Sequence, residues 1–142
     1  MRLGVATVCG LLLGLDRELR GIAAGLRTHA LVSVSSAVIT ISALDLYAAV
    51  KDHGGDADPL RVIQGLAQAI GFIAAGAIFV AKGTVRNLTT AANVWLATAV
   101  GIGAGAGQFA LAGIATGFGI VIVTVVRTVE YLLPQRPDKP DD

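Results

Sequence analysis

The 142-residue chain has little of what marks a soluble enzyme or a disulfide scaffold. It contains one cysteine, two histidines, four prolines and 5% aromatic residues, and only 15% of it is charged, against about 25% in soluble domains. The lone Cys9 excludes an internal disulfide. Without a second cysteine or paired histidines, zinc is not expected either. Cys9 lies in an apolar run and reads as a small buried hydrophobe. Eleven basic residues against ten acidic ones leave a net charge of +1. No basic patch interleaves with aromatics, so nucleic acid is not a partner. There is no nucleophile elbow, metalloprotease helix or nucleotide loop, and His29 standing four residues before Ser33 is read as chance. The chain is therefore not expected to be an enzyme. The run Gly101 to Gly107 lacks the G-x-G-x-x-G spacing, a preceding strand and a following acidic residue. It reads instead as helix packing and a tight hairpin near Gly105 to Gln108.

What is present is apolar sequence: 54% of residues, with a mean hydropathy of +0.72. A membrane span needs about 20 such residues. Ala30 to Val50, Val62 to Val80, Ala91 to Gly107 and Phe109 to Val126 meet or approach that length. Leu3 to Leu15 is shorter and is followed by charge rather than a small-residue cleavage site, so it reads as a first span that is clipped or tilted at its start. Small residues four apart recur as Gly10/Gly14, Ala67/Gly71/Ala75, Gly101/Gly105 and Gly113/Gly117. They predict close helix crossings. The expected fold is all-α: a polytopic transmembrane bundle of about five helices over residues 1–127, with a disordered tail over 128–142. Counting Lys and Arg places 8 on one side and 3 on the other, which puts the N-terminus outside and the C-terminus in the cytoplasm.

A charged knot interrupts this pattern between the first two spans. It reads Gly14-Leu15-Asp16-Arg17-Glu18-Leu19-Arg20 and then Ala24-Gly25-Leu26-Arg27-Thr28-His29. Such a cluster is costly in hydrocarbon, so it belongs at a membrane surface or paired inside the bundle. Asp16 and Glu18 do not share a face if the helix continues. In a turn they converge and become a tentative Mg²⁺ site, against the reading that they neutralise Arg17, Arg20 and Arg27. Thr28 is a candidate helix cap, Arg27 a contact for lipid phosphate, and His29 an interfacial anchor or pH sensor. Asp45 lies inside an apolar run, where a carboxylate is either functional or reaches the outer headgroups. Asp58-Pro59 predicts a helix start. Thr89 or Thr90 is expected to cap the fourth span, with Asn93 in its first turn. Arg86 would fall beside the knot, within reach of Asp16 or Glu18. Asn87-Leu88-Thr89 matches a glycosylation pattern, but the predicted side is cytoplasmic. Ser33, Ser35, Ser36, Thr40 and Ser42 give the second span a hydroxyl face, suited to bonding between helices or to lining an ion path.

The knot resembles the signature of the MgtC/SapB family of bacterial inner-membrane proteins. The likeness continues through Ile70 to Phe79, Val85 to Trp95 and Ala99 to Gly107, in family order, over roughly residues 10 to 127. The resemblance implies five helices entering from outside. It also implies a role in growth at low Mg²⁺ and, in pathogens, inside macrophages. Members are thought to regulate other membrane proteins, including the F-type ATP synthase, rather than to carry Mg²⁺. By motif match the family's polar signature falls on Asp16, Arg17, Glu18, Arg27, Thr28, His29, Arg86, Thr89, Thr90 and Asn93. Asp16 stands where many relatives have glutamate, and the cytoplasmic C-terminal domain of longer members has no counterpart in this sequence. The expected partners are the lipid bilayer, other membrane proteins and further copies of the chain. A small oligomeric Mg²⁺ channel or transporter is the alternative function.

Overall fold

Inside a bilayer every backbone N–H and C=O must be satisfied by the chain itself, and this sequence answers with helix. The computed structural model describes residues 1–81, 84–126 and 128–129. Lys82, Arg127 and residues 130–142 of the tail expected to be disordered, Arg136 and Lys139 among them, lie outside the described residues, whereas Thr128 and Val129 are helical. The elements are α1 (Arg2–Leu19), α2 (Leu26–Asp52), α3 (Leu60–Ala77), β1 (Phe79–Ala81), β2 (Thr84–Arg86), α4 (Leu88–Gly105) and α5 (Phe109–Val121), the last continued by a π-helical turn over Ile122–Val126. Four helical stretches are long and apolar enough to cross a membrane: α2, α3, α4 and Phe109–Val126. The 18-residue α1 has the length, but Arg2, Asp16, Arg17 and Glu18 load its ends with charge. The chain is thus an all-α polytopic bundle of five helices.

The third and fifth spans end differently from expectation. The third span was expected to run to Val80, but α3 stops at Ala77 and Phe79–Ala81 pairs antiparallel with Thr84–Arg86, Val80 opposite Val85. The β-branched residues there favour extended backbone. The fifth span keeps its length, but its last turn widens from α to π. Other local signals act as read. Asp58 Oδ1 accepts the Leu60 N–H at 2.9 Å, starting α3. Between α4 and α5, Gly107 takes φ +82°; the Gln108 N–H reaches Gly103 O at 2.8 Å and the Gly107 N–H reaches Ala104 O at 3.1 Å. This is a Schellman stop.

α2 packs against both α1 and α4. α4 is the most enclosed helix, contacted also by α3 and α5, and α5 touches α1 as well. Glycine sets these distances. A methyl group at Gly10 would stand 2.7 Å from His29 O, one at Gly14 2.7 Å from Gly25 O and 2.8 Å from Leu26 Cα, and one at Gly105 2.7 Å from Ala37 O; one at Gly101 would collide with the Ser33 carbonyl. α2 is therefore clasped backbone to backbone, antiparallel to α1 and parallel to α4. By contrast Gly71, Gly113 and Gly117 meet nothing within 4 Å, so two of the four small-residue stripes are not used within the chain.

Gly14→Ala should lower stability by about 1–3 kcal/mol, because its methyl group meets backbone that cannot rotate away. Gly113→Ala should stay within about 0.5 kcal/mol of the parent. Reversible unfolding in detergent micelles compares the two.

Candidate functional site

Asp16, Arg17 and Glu18 do not sit in a turn; α1 runs through them to Leu19. It then ends on Gly21 (φ +63°), with the Gly21 N–H on Glu18 O at 3.1 Å and the Ile22 N–H on Arg17 O at 3.0 Å, another Schellman stop. Because the helix continues, successive side chains fan out by about 100°. Asp16 Oδ1 pairs with Arg20 Nε at 2.6 Å, at a partly exposed position. Arg17 turns into the bundle and is 2% exposed. Glu18 reaches forward, and its Oε2 accepts the Leu26 N–H at 3.1 Å. That bond satisfies an orphan donor at the start of α2. Asp16 and Glu18 therefore serve different partners and are not brought together as a cation pair. No three His, Cys, Asp or Glu residues converge among the described residues.

Buried Arg17 holds the α1–α2 connection in place. Its Nε lies 3.2 Å from Ala24 O and 3.3 Å from Ala23 O, and Nη2 donates to Ala23 O at 3.0 Å and to Thr90 Oγ1. A guanidinium offers five donors in a rigid fork, which matches this set of loop carbonyls and a hydroxyl on α4. Ala24 is held at φ +56° in the same connection. Of the expected neutralisation of Arg17, Arg20 and Arg27 by Asp16 and Glu18, the described residues show the Asp16–Arg20 pair; Arg17 donates to backbone carbonyls and to Thr90.

One turn deeper, the three helices are joined through a histidine and an asparagine. His29 is fully buried, which corrects its expected place as an interfacial anchor. The Asn93 amide nitrogen lies 3.1 Å from Leu13 O and 2.9 Å from His29 Nε2, and His29 Nδ1 lies 2.9 Å from Gly25 O. The carbonyl of Leu13 can only accept, so it fixes which end of the Asn93 amide faces it. The second amide hydrogen then requires Nε2 to be an acceptor, and the proton sits on Nδ1, donating to Gly25 O. α1, α2 and α4 all contribute to this relay, and Gly25 O, one turn before His29 on α2, also lies against Gly14 of α1.

The other signature residues face outward. Arg27, Arg86 and Thr89 are exposed and Thr28 is half-buried. Thr28 does not cap α2, which begins two residues earlier at Leu26. Nor do Thr89 and Thr90 cap α4. Its first position is preceded by Asn87 at φ +67°, whose side-chain nitrogen donates to Ala77 O at 3.1 Å and so ties the end of α3 to the start of α4. Sequence reasoning missed this residue. The available signal was that asparagine tolerates the left-handed region. Arg86 makes no ion pair with Asp16 or Glu18, the Arg20–Asp16 bridge being the sole ion pair among the described residues. Asp45 is exposed on the outward side of α2, a helix of 27 residues and so about 40 Å long, which overshoots a hydrocarbon core of about 30 Å.

The hydroxyl face of α2 turns inward at Ser33, Ser36 and Thr40 and outward at Ser35 and Ser42. Ser36 Oγ donates to Val32 O and Thr40 Oγ1 to Ser36 O, both at 2.8 Å. The Ser36 and Thr40 hydroxyls are thus spent on their own helix rather than on bonds between helices, whereas the buried Ser33 Oγ has no hydrogen-bond partner among the described residues. Beside Arg17, a cavity of about 760 Å³ opens at this end of the bundle. Arg86, Thr89 and Thr90 form its polar wall; Ile22, Leu88 and the π-helical Ile122, Val123 and Val126 are among its apolar lining.

The sequence has relatives. The MgtC family model matches residues 3–132. YhiD of Escherichia coli (strain K12), whose name proposes it as a magnesium transporter, is 38% identical over 133 residues, covering 92% of this chain and 59% of that protein. Protein MgtC of Brucella abortus (strain 2308) is 37% identical over 128 residues, 90% of this chain and 51% of its own length. Protein SapB of Bacillus subtilis (strain 168) is 36% identical over 111 residues, 77% of this chain and 48% of its own length. The chain thus spans about half to three-fifths of these curated relatives. No solved structure matches it.

Arg17→Lys should cost about 1–3 kcal/mol of stability, since one ammonium cannot serve two loop carbonyls and Thr90 from a single fork. Exposed Arg27→Lys should leave stability within about 0.5 kcal/mol. Thermal unfolding of the purified protein in detergent checks both.

Proposed function

The chain belongs to the MgtC family, and from that premise we propose that it is an inner-membrane regulator of magnesium homeostasis that acts by binding other membrane proteins. The F-type ATP synthase is one candidate partner by family resemblance. The observation that carries this reading is the division of the signature residues into two sets. Arg17, His29, Thr90 and Asn93 are buried and hold helices together; Glu18, Arg27, Arg86 and Thr89 are exposed at the same end of the bundle. Arg86 and Thr89 of the exposed set line a cavity with both polar and apolar walls, a composition that supports a protein-binding surface. Exposed arginines are also the residues enriched at contact sites between proteins.

Transport is supported less well. The inward hydroxyls Ser36 and Thr40 are engaged with their own backbone, and α2 is packed against α1 and α4 at glycine distance. That closes the interior on both sides of the hydroxyl face. The polar end is assigned to the cytoplasm by the excess of Lys and Arg there. A cysteine at that end, introduced as Arg20→Cys in a Cys9→Ser background, should react only with reagents that cross the membrane.

The test has two arms. Liposomes containing the purified chain and a Mg²⁺-sensitive dye should show no flux above empty liposomes. Cross-linking in cells at low Mg²⁺ should recover a membrane protein with the parent chain, and recover at least about fivefold less with Arg27→Ala/Arg86→Ala at equal expression. A saturable Mg²⁺ flux, or recovery indifferent to both arginines, contradicts the regulatory reading.

A further inference from the structure

α3 carries two glutamines on the wrong side for a helix whose outer face meets only lipid. It packs inward through the buried Ile70 and Ala74. Its opposite face presents Gln64, Gln68 and Phe72, all exposed, with Phe72 at 85%. Gln68 lies eight residues along an 18-residue helix, about 12 Å from its start and close to mid-membrane. Neither amide makes a hydrogen bond among the described residues. An amide has two donors and two acceptor sites, and hydrocarbon satisfies none of them.

A covering partner must bring a polar group to the depth of Gln68. A second copy does so by symmetry, because an amide is complementary to itself, donor to acceptor. Two copies inserted the same way run their α3 helices parallel, which sets Gln68 opposite Gln68 about a two-fold axis along the membrane normal. Backbone approach is open, since a methyl group built at Gly65 or at Gly76 meets nothing within 4 Å. We propose that this face of α3 is a dimer interface, with the Gln68 amides hydrogen-bonded across it and Phe72 packed beside them. This goes beyond the regulatory reading and does not rest on it.

The experiment uses the full chain in a Cys9→Ser background, reconstituted into phosphatidylethanolamine/phosphatidylglycerol vesicles at a low protein-to-lipid ratio. Phe72→Cys should form an oxidative cross-linked dimer. Phe118→Cys, also exposed but on α5, should not. Energy transfer between labelled copies should show the association constant falling about tenfold in Gln68→Leu, with helicity unchanged because Gln68 makes no hydrogen bond among the described residues of its own chain. Monomers at every ratio, equal cross-linking from Phe72→Cys and Phe118→Cys, or association indifferent to Gln68→Leu would overturn the proposal. The first outcome would assign the face to lipid or to a different protein.

Discussion

Within a bilayer, lipid tails are as apolar as leucine, so no hydrophobic force distinguishes one helix neighbour from another. The constraint on which this bundle depends is the sharing of a few buried polar groups among α1, α2 and α4 at one end. Asn93 donates to Leu13 O and to His29 Nε2, and His29 donates to Gly25 O. Arg17 gathers the Ala23 and Ala24 carbonyls and Thr90. The glycines follow from this. Only when backbones approach at Gly10, Gly14, Gly101 and Gly105 can groups this short reach one another. Packing and polarity are therefore one device, and a change to either strains the other.

This device also explains how charge is tolerated in so apolar a chain. Three consecutive ionisable residues at the end of α1 are separated by helical geometry into three tasks: an exposed ion pair, a buried clamp on the connection, and a cap on the next helix. The residues available to a partner are those the lock does not consume. The cavity beside Arg17 is bounded by the lock on one side and by the hairpin and the π-helical end of α5 on the other. A π-helical turn in an otherwise regular helix often accompanies a functional surface.

Much of this was legible in the sequence. Uncharged apolar runs gave the helices, and the four-residue glycine spacings in α1 and α4 marked the tightest crossings. The spacing rule could not say which stripes face inward, so Gly113/Gly117 read the same as Gly101/Gly105 although only the latter pair meets backbone. The hairpin was hidden because counting apolar residues does not separate strand from helix over three residues. His29 was misplaced because a histidine beside an arginine and a threonine resembles an interface. Its true setting depends on Asn93, 64 residues away, and no local pattern records that distance. Arg17 was legible as a signature residue but not as a buried one. Whether a charge at a span end turns in or out is decided by where its helix stops, here at Gly21.

The coupling between His29 and Asn93 joins α2 to α4 at the centre of the relay. A double-mutant cycle with His29→Phe, Asn93→Leu and the double variant, read by reversible unfolding in bicelles, isolates that term. The predicted result is a favourable coupling of about 0.6–1.7 kcal/mol, within the range measured for hydrogen bonds between membrane helices. Additive effects, with no coupling between the two positions, would contradict the claim that this relay holds the three helices together.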